Sequence, residues 1–229
     1  MINTPDYALT DEARVRELIA EHGWATLVSH TAEGLVASHV PVLLEDGPEL
    51  TVVSHVGRPD DALHGLGSGE VLLVVEGPYG YVSPGWYGTS PAVPTWNYLA
   101  VHLHGTPELL DAEDTYRVLS DTTYRYEAPM PHPIGLPDVA EYAHRIAPGA
   151  AGFRLRVTRW QGKAKLSQDK PREVAERVVA HLEQPVGEAD HPYSNPALAR
   201  EMRAEMARQD ADVAPRDAAT ARQDAEVLP

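Results

Sequence analysis

Six aromatic side chains fall within the twenty-two residues 77–98: Tyr79, Tyr81, Trp86, Tyr87, Trp96 and Tyr98. The whole chain has one Phe, ten Tyr and four Trp, so this stretch is far richer in rings than the rest. Set among glycines and prolines, such rings make either a flat wall for a planar cofactor or a cover over the open end of a barrel core. Composition alone supports both. His102 and His104 lie two apart in a strand-like run and would share a face, as a metal-binding pair does. No third histidine or carboxylate stands at ligand spacing, so zinc is not expected there. His132 and His144 read as surface residues. With no cysteine in the chain, disulfides, thiolate zinc, iron–sulfur clusters and cysteine nucleophiles are excluded. A P-loop, a nucleophile elbow and an HExxH pattern are also missing.

The elements that must hold these residues are mostly strands. The chain has 229 residues, 43% hydrophobic and 23% charged, which is ordinary globular composition. A helix is expected over 10–22, with Thr10 as N-cap, Val15, Leu18, Ile19 and His22 as its stripe and Gly23 as its stop. Short valine- and leucine-rich runs at 25–29, 35–44, 50–55, 70–76, 98–110 and 152–161 read as strands. Helices are expected over 111–126 and 138–146, with a proline-rich loop between them. Another covers 171–183, with Pro171 in its first turn and Val174, Val178, His181 and Leu182 as its stripe. Six strands with helices at the margins predict an α+β fold, a small barrel with helical additions. The domain is expected to end near residue 184. Residues 185–229 are rich in Ala, Arg and Asp and repeat Ala-Arg-Gln-Asp-Ala at 207–211 and 221–225. That tail is expected to hold a weakly docked helix over 195–208 and a disordered end.

Nineteen basic against thirty-four acidic side chains leave a formal charge of −15. Such a chain repels a phosphate backbone, so nucleic acid is disfavoured as a partner. The first residues have neither a basic nor an apolar leader region, and no apolar run approaches the ~20 residues of a membrane helix. The expectation is a soluble, cytoplasmic protein.

Several motifs together resemble the PaiB-like family of FMN-binding split barrels. They are Ser38-His39-Val40-Pro41, Tyr81-Val82-Ser83-Pro84-Gly85-Trp86-Tyr87, Val93-Pro94-Thr95-Trp96-Asn97-Tyr98 with Val101-His102 and Gly105, and Gly162-Lys163-Ala164-Lys165-Leu166-Ser167-Gln168. The resemblance covers about residues 5–184. It implies a six-stranded split β-barrel with peripheral helices, a homodimer, and a planar cofactor in a groove shared by two subunits. The family is described as FMN-binding and as a negative transcriptional regulator. One branch, the piperazate synthases, uses heme b to close the nitrogen–nitrogen bond of N5-hydroxy-L-ornithine with loss of water.

The resemblance also implies which residues meet the cofactor. FMN-binding relatives read Gly-His-x-Ala-Arg-Ala-Asn-Pro-x-Trp after the third strand. This chain has Ser54-His55-Val56-Gly57-Arg58-Pro59-Asp60-Asp61-Ala62-Leu63-His64. His55 and Arg58 are kept, Asp60 replaces the asparagine, Asp61 is added, and Leu63 replaces the tryptophan. Carboxylates repel a dianionic phosphate, so heme is expected over FMN, with FMN the alternative. His64, or else His55, would ligate the iron, and Arg58 would pair with a propionate or a phosphate. Ser38, His39, Ser54, Trp86, Tyr87, Trp96, Asn97, Ser167 and Gln168 would line the cofactor groove. Lys165 is expected to meet a substrate carboxylate, and Tyr98 is the other residue assigned to the chemistry. The implied reaction is heme-dependent cyclisation of an amino-acid substrate in nonribosomal peptide biosynthesis. A PaiB-like oxidoreductase or regulator is the alternative.

Overall fold

The computed structural model describes Met1 and residues 4–225, and for residues 212–225 the backbone only. Its strands are β1 (Ala8–Leu9), β2 (Trp24–Thr31), β3 (Gly34–Leu44), β4 (Thr51–Gly57), β5 (Val71–Val82), β6 (Thr95–Gly105), β7 (Glu108–Leu109), β8 (Ala150–Arg156) and β9 (Arg159–Lys165). The helices are α1 (Glu12–Glu21), α2 (Asp60–His64), α3 (Ala112–Glu127), α4 (Ala140–Ile146), α5 (Arg172–Leu182) and α6 (Pro196–Ala225). Strands hydrogen-bond in the order β1-β9-β6-β5-β2-β3-β4-β8-β7. The α+β class matches the sequence expectation. The strand count does not: the described residues form nine, not six. Two of the additions, β1 and β7, are two residues long. The third arises because the expected 152–161 strand breaks where Val157 N donates to Leu50 O and Thr158 N to His104 O. Those bonds turn the backbone between β8 and β9.

The chain divides into two compact units. The first holds residues 9–77 and 100–162. In it β2 pairs antiparallel with β3 and with β5, and β4 pairs antiparallel with β3 and β8. Its core contains Val15, Ile19, Leu27, Leu73, Leu103, Phe153 and Leu155, each fully buried. Burying each such side chain contributes about 1.5–3 kcal/mol. Helix α1 starts one residue later than expected: Asp11, not Thr10, caps it by accepting from Ala13 N at 2.9 Å. Helix α2 was not foreseen, being a single turn that Gly65 ends at φ +58°. Gly105 is fixed by close approach, since a Cβ there would stand 2.4 Å from Arg156 O.

The second unit holds, among the described residues, 4–8, 78–99 and 163–225. Strand β5 continues past Glu76, so Tyr79 and Tyr81 alternate along a strand instead of sitting in a loop. Helix α5 presents Val174, Ala175, Val178, Val179 and Leu182 to the core. Pro171 stands just before it as the N-cap, and His181 lies half-buried off that stripe. Helix α6 packs on α5 through buried Leu198, Ala199, Met202 and Met206. Its start is capped by Asn195, whose Oδ1 accepts from Leu198 N at 3.1 Å. The helix expected over 195–208 continues to Ala225, so the expected disordered end is corrected over 209–225, and its remainder, 226–229, lies outside the described residues. No helix among the described residues is long and apolar enough to cross a membrane.

Candidate functional site

The second unit contains a cavity of about 480 Å³, a size that suits a small ligand. Successive residues on a strand face opposite ways, so β6 sends Thr95 and Asn97 to one side, and both line the cavity. From β9 and the turn after it come Lys165, Ser167, Asp169 and Lys170. Ser167 sits at φ +63°, a left-handed conformation that costs a serine of order 1 kcal/mol. This conformation brings its hydroxyl to Asn97, whose Nδ2 donates to Ser167 Oγ at 2.9 Å and to Met202 Sδ at 3.4 Å. Asn97 is fully buried and its Oδ1 has no partner. An unmatched buried acceptor costs about 1–3 kcal/mol, and a ligand donor would remove that cost.

Of the two lysines that line the cavity among the described residues, one is paired with a carboxylate and the other is not. Lys170 is held by Asp169 at 2.8 Å. Lys165 Nζ instead donates to the Thr95 hydroxyl and lies 5.9 Å over the Tyr7 ring. Burial pushes the Lys165 ammonium below the usual lysine value, although Asp169 opposes the shift. Tyr7 is pushed up to about 12 by burial and by Asp169, to which its phenol hydrogen-bonds. For Asp169, burial favours the neutral acid, but hydrogen bonds from Lys170 and Tyr7 outweigh it and hold the carboxyl below its usual value. The result is a half-buried ammonium beside a hydroxyl and a neutral phenol, suited to a carboxylate or phosphate.

Other residues expected in the same site are placed elsewhere in this unit. Tyr98 follows Asn97 on β6 and so faces away with Trp96, which lies exposed between Tyr79 and Tyr81 at 6.4 and 6.1 Å. Gln168 does not line the cavity. Its side chain accepts from Leu166 N at 2.7 Å and donates to Ala164 O at 2.6 Å, closing the turn after β9. Trp86 is buried against His181. Tyr87 does line the cavity, and its carbonyl accepts from Arg177.

In the first unit, His64 is 3% exposed and both ring nitrogens are engaged. Nδ1 lies 2.8 Å from Ser29 Oγ and Nε2 lies 2.9 Å from Ser38 Oγ. Ser38 in turn donates to Asp60 Oδ2 at 3.2 Å. Its one proton being used there, Ser38 can only accept from His64, which assigns the neutral Nε2–H tautomer with Nδ1 taking the Ser29 proton. Burial pushes the His64 pKa down, against the pull of Asp60. No lone pair of the His64 ring is therefore open in this structure, and an iron ligand role would require displacing a serine.

The expected repulsion of a phosphate is offset at Asp61 by its ion pair with Arg58, whereas Asp60, held by a neutral hydroxyl, keeps its charge. Asp60 is held by Ser38, and Asp61 is paired with Arg58 at 2.5 Å. Arg58 also donates through Nε to Ala150 O at 3.3 Å. Of its five N–H donors these bonds use two, and the side chain is 54% exposed. Leu63, in place of the family tryptophan, is exposed as well. Ser54 is buried and donates to Pro41 O at 2.6 Å. His55 differs from His64. Its Nδ1 is buried without a partner, and burial holds the ring neutral by lowering its pKa. His55 lines an open groove of about 590 Å³ with Trp24, Pro41, Leu119 and Tyr126.

That groove adjoins an uncovered sheet face. The register pairs Trp24 with Pro41, Thr26 with His39, Val28 with Ala37 and His30 with Leu35, and sets Val28 opposite Leu72 on β5. Opposed residues share a face, and here none is buried, with Trp24 61% and Leu35 76% exposed. Trp24 and His39 stack at 6.5 Å and 17°. Central strands that leave apolar side chains in water mark a binding surface. His102 and His104 share one face of β6 as expected, and no third metal-ligating group joins them among the described residues.

The fold is an α+β domain with a cavity in one unit and an open groove in the other. Residues 1–159 match the family described as "Putative FMN-binding domain", and the chain belongs to that family. It is 24% identical over 180 residues to protease synthase and sporulation protein PAI 2 of Bacillus subtilis, covering 77% of this chain and 86% of that protein. It is 34% identical over 107 residues to the protein YKL070W of Saccharomyces cerevisiae, covering 43% and 63%. Among solved structures, its fold is shared with the FAD and heme binding protein from Mycobacterium smegmatis (TM-score 0.53, 17% identity, 76% of this chain and 80% of that one). The flavocytochrome Anf3 from Azotobacter vinelandii is similar too (TM-score 0.52, 15% identity, 69% of each chain). The PaiB-like resemblance seen in the motifs is thus confirmed.

Proposed function

We propose that the protein binds FMN on the uncovered face of β2 and β3 and works as a PaiB-like oxidoreductase. The observation that carries this reading is the flat Trp24–His39 pair on an apolar face that runs to the His55 groove. The residues present fit the group. Trp24 and His39 offer a planar surface to the flavin ring. His55 Nδ1 is a buried acceptor awaiting a ligand N–H or O–H. Arg58 keeps three N–H donors for the phosphate while Asp61 stays paired. Bound flavin supplies hydride and single-electron transfer. The chain itself positions the flavin, and Lys165, in the second unit, offers its ammonium to an anion. A second copy of the chain covers the open face, making a homodimer. The net charge of −15 argues against a DNA-binding role.

One observation favours a second reading, the heme-dependent cyclisation of N5-hydroxy-L-ornithine to L-piperazate. His55 presents a neutral, unpartnered ring nitrogen, as an axial ligand requires. The described binding of FAD and heme by the Mycobacterium smegmatis relative is in keeping with either cofactor.

An absorption spectrum separates the two. The purified chain is expected to be yellow with flavin bands, and the stripped chain to take up one FMN per chain. Trp24→Ala is expected to weaken that uptake about 10-fold or more, for the loss of one stacked ring. A Soret band that disappears in His55→Ala, with no flavin uptake, would decide for heme instead.

A further inference from the structure

We propose a divalent transition-metal site at His181, Asp190 and His191, separate from the cavity and the open face described above. His181 lies in the last turn of α5, and Asp190 and His191 lie in the segment that joins α5 to α6. That segment is a closed loop, because Asn195 N returns to donate to Leu182 O at 2.8 Å. Its far part folds back so that one ligand atom from each of the three residues lies within 4.8 Å of the others. Tetrahedral bonds of ~2.1 Å put ligand atoms roughly 3.4 Å apart, so a small inward movement completes the coordination.

A second observation points to a ligand. His181 Nδ1 and His191 Nε2 are both buried and both lack any hydrogen-bond partner. Two orphaned imidazole nitrogens in one place are unusual, since buried polar atoms are nearly always paired. The rings are held in place by aromatic packing. Trp86 stacks on His181 at 5.1 Å and 13° and leans on His191 at 4.7 Å. Tyr193 stacks on the other imidazole neighbour, His191, at 6.3 Å and 20°. Without metal, His191 Nδ1 accepts from Tyr193 N–H at 3.2 Å. Coordination through Nε2 moves the ring proton to Nδ1 and releases that amide. The pairing is long and gives way to a much stronger bond.

Two imidazoles and a carboxylate form a nitrogen–oxygen donor set that suits Zn²⁺ and its first-row neighbours, not Ca²⁺ or Mg²⁺. Three protein ligands leave a fourth position for water. The ion would fasten the 183–194 loop to the end of α5.

The test is titration of the full, chelator-treated chain with Zn²⁺ by calorimetry, and with Co²⁺ by visible absorption. The expected result is one ion per chain at micromolar concentration or tighter, tetrahedral Co²⁺ bands, and a melting temperature that rises with Zn²⁺. His181→Gln and His191→Gln should each weaken binding at least about 100-fold, by loss of one ligand of three. His132→Gln, in the first unit, should change nothing. Asp190→Asn alters an exposed residue and keeps the test open should a histidine variant fail to fold. Absence of binding, or equal binding by the parent and all three site variants, would overturn the proposal. Neither result bears on flavin uptake.

Discussion

His64→Ala is expected to lower the unfolding free energy by about 3 kcal/mol at pH 8. The ring is nearly fully buried and bridges Ser29, on β2, to Ser38, on β3. Removing it leaves the buried Ser29 hydroxyl without its acceptor and opens a void where the imidazole stood. Ser38 keeps Asp60 and suffers less. For a chain of this size the loss corresponds to roughly 6–12 °C in melting temperature. The deficit should shrink as the pH falls. Burial depresses the folded-state pKa of His64 and of His55. Below the unfolded value of ~6.5 the unfolded chain takes up protons that the folded chain refuses, so the parent loses stability as pH drops through that range. His102 and His104 are shifted the same way, and the variant, lacking one of these four histidines, should lose less. Urea unfolding at pH 8 and pH 5.5 measures both effects. A deficit under about 1 kcal/mol, or an unchanged pH slope, would mean that the hydrogen-bonded chain through His64 stabilises little.

The second large effect is expected at Lys165. Lys165→Met removes the cavity's one ammonium without a carboxylate partner while keeping most of its volume. Charge-assisted hydrogen bonds contribute about 1.5–3 kcal/mol, so affinity for an anionic probe should fall roughly 10- to 100-fold. Inorganic phosphate, followed by nuclear magnetic resonance, serves as the probe. Binding by the parent should fade on the alkaline side at a pH below the usual lysine value, because burial already disfavours the ammonium. Deprotonation removes the attraction, so the sign is loss with rising pH. Lys170→Met should have a smaller effect, since Asp169 already balances that charge. Equal losses in the two variants would show that overall charge, not the Lys165 position, governs binding.

Much of the framework is legible in the chain because it depends on near neighbours. Alternating valines and leucines place the strands β2 to β4, and Val15, Leu18 and Ile19 place α1, since each pattern repeats within a few residues. The short helix α2 escapes such reading, for one turn is too brief to show a period. Strand β5 is underestimated because Gly77 and Pro78 resemble a turn. The separation of Tyr98 from Asn97 was legible in principle: once 98–110 is read as strand, alternation puts neighbours on opposite faces. The Ser167 conformation was not, because a left-handed serine is specified by what surrounds it.

The sequence by itself determined the family, the order of the principal strands and helices, the acidic surface and the exclusion of thiol chemistry. Only the tertiary structure decided which histidines have a lone pair to offer. His64 is closed by Ser29 and Ser38, thirty-five and twenty-six residues away. His55 is left open, and His181 meets His191 across a loop that spacing alone would not close. Tertiary structure likewise decided that Asp60 and Asp61 are already partnered and that Lys165 meets a hydroxyl and a ring instead of a carboxylate. The physical reason is common to all of these. A ligand atom or a charge acts through what remains after its neighbours have taken their share, and those neighbours come from distant parts of the chain.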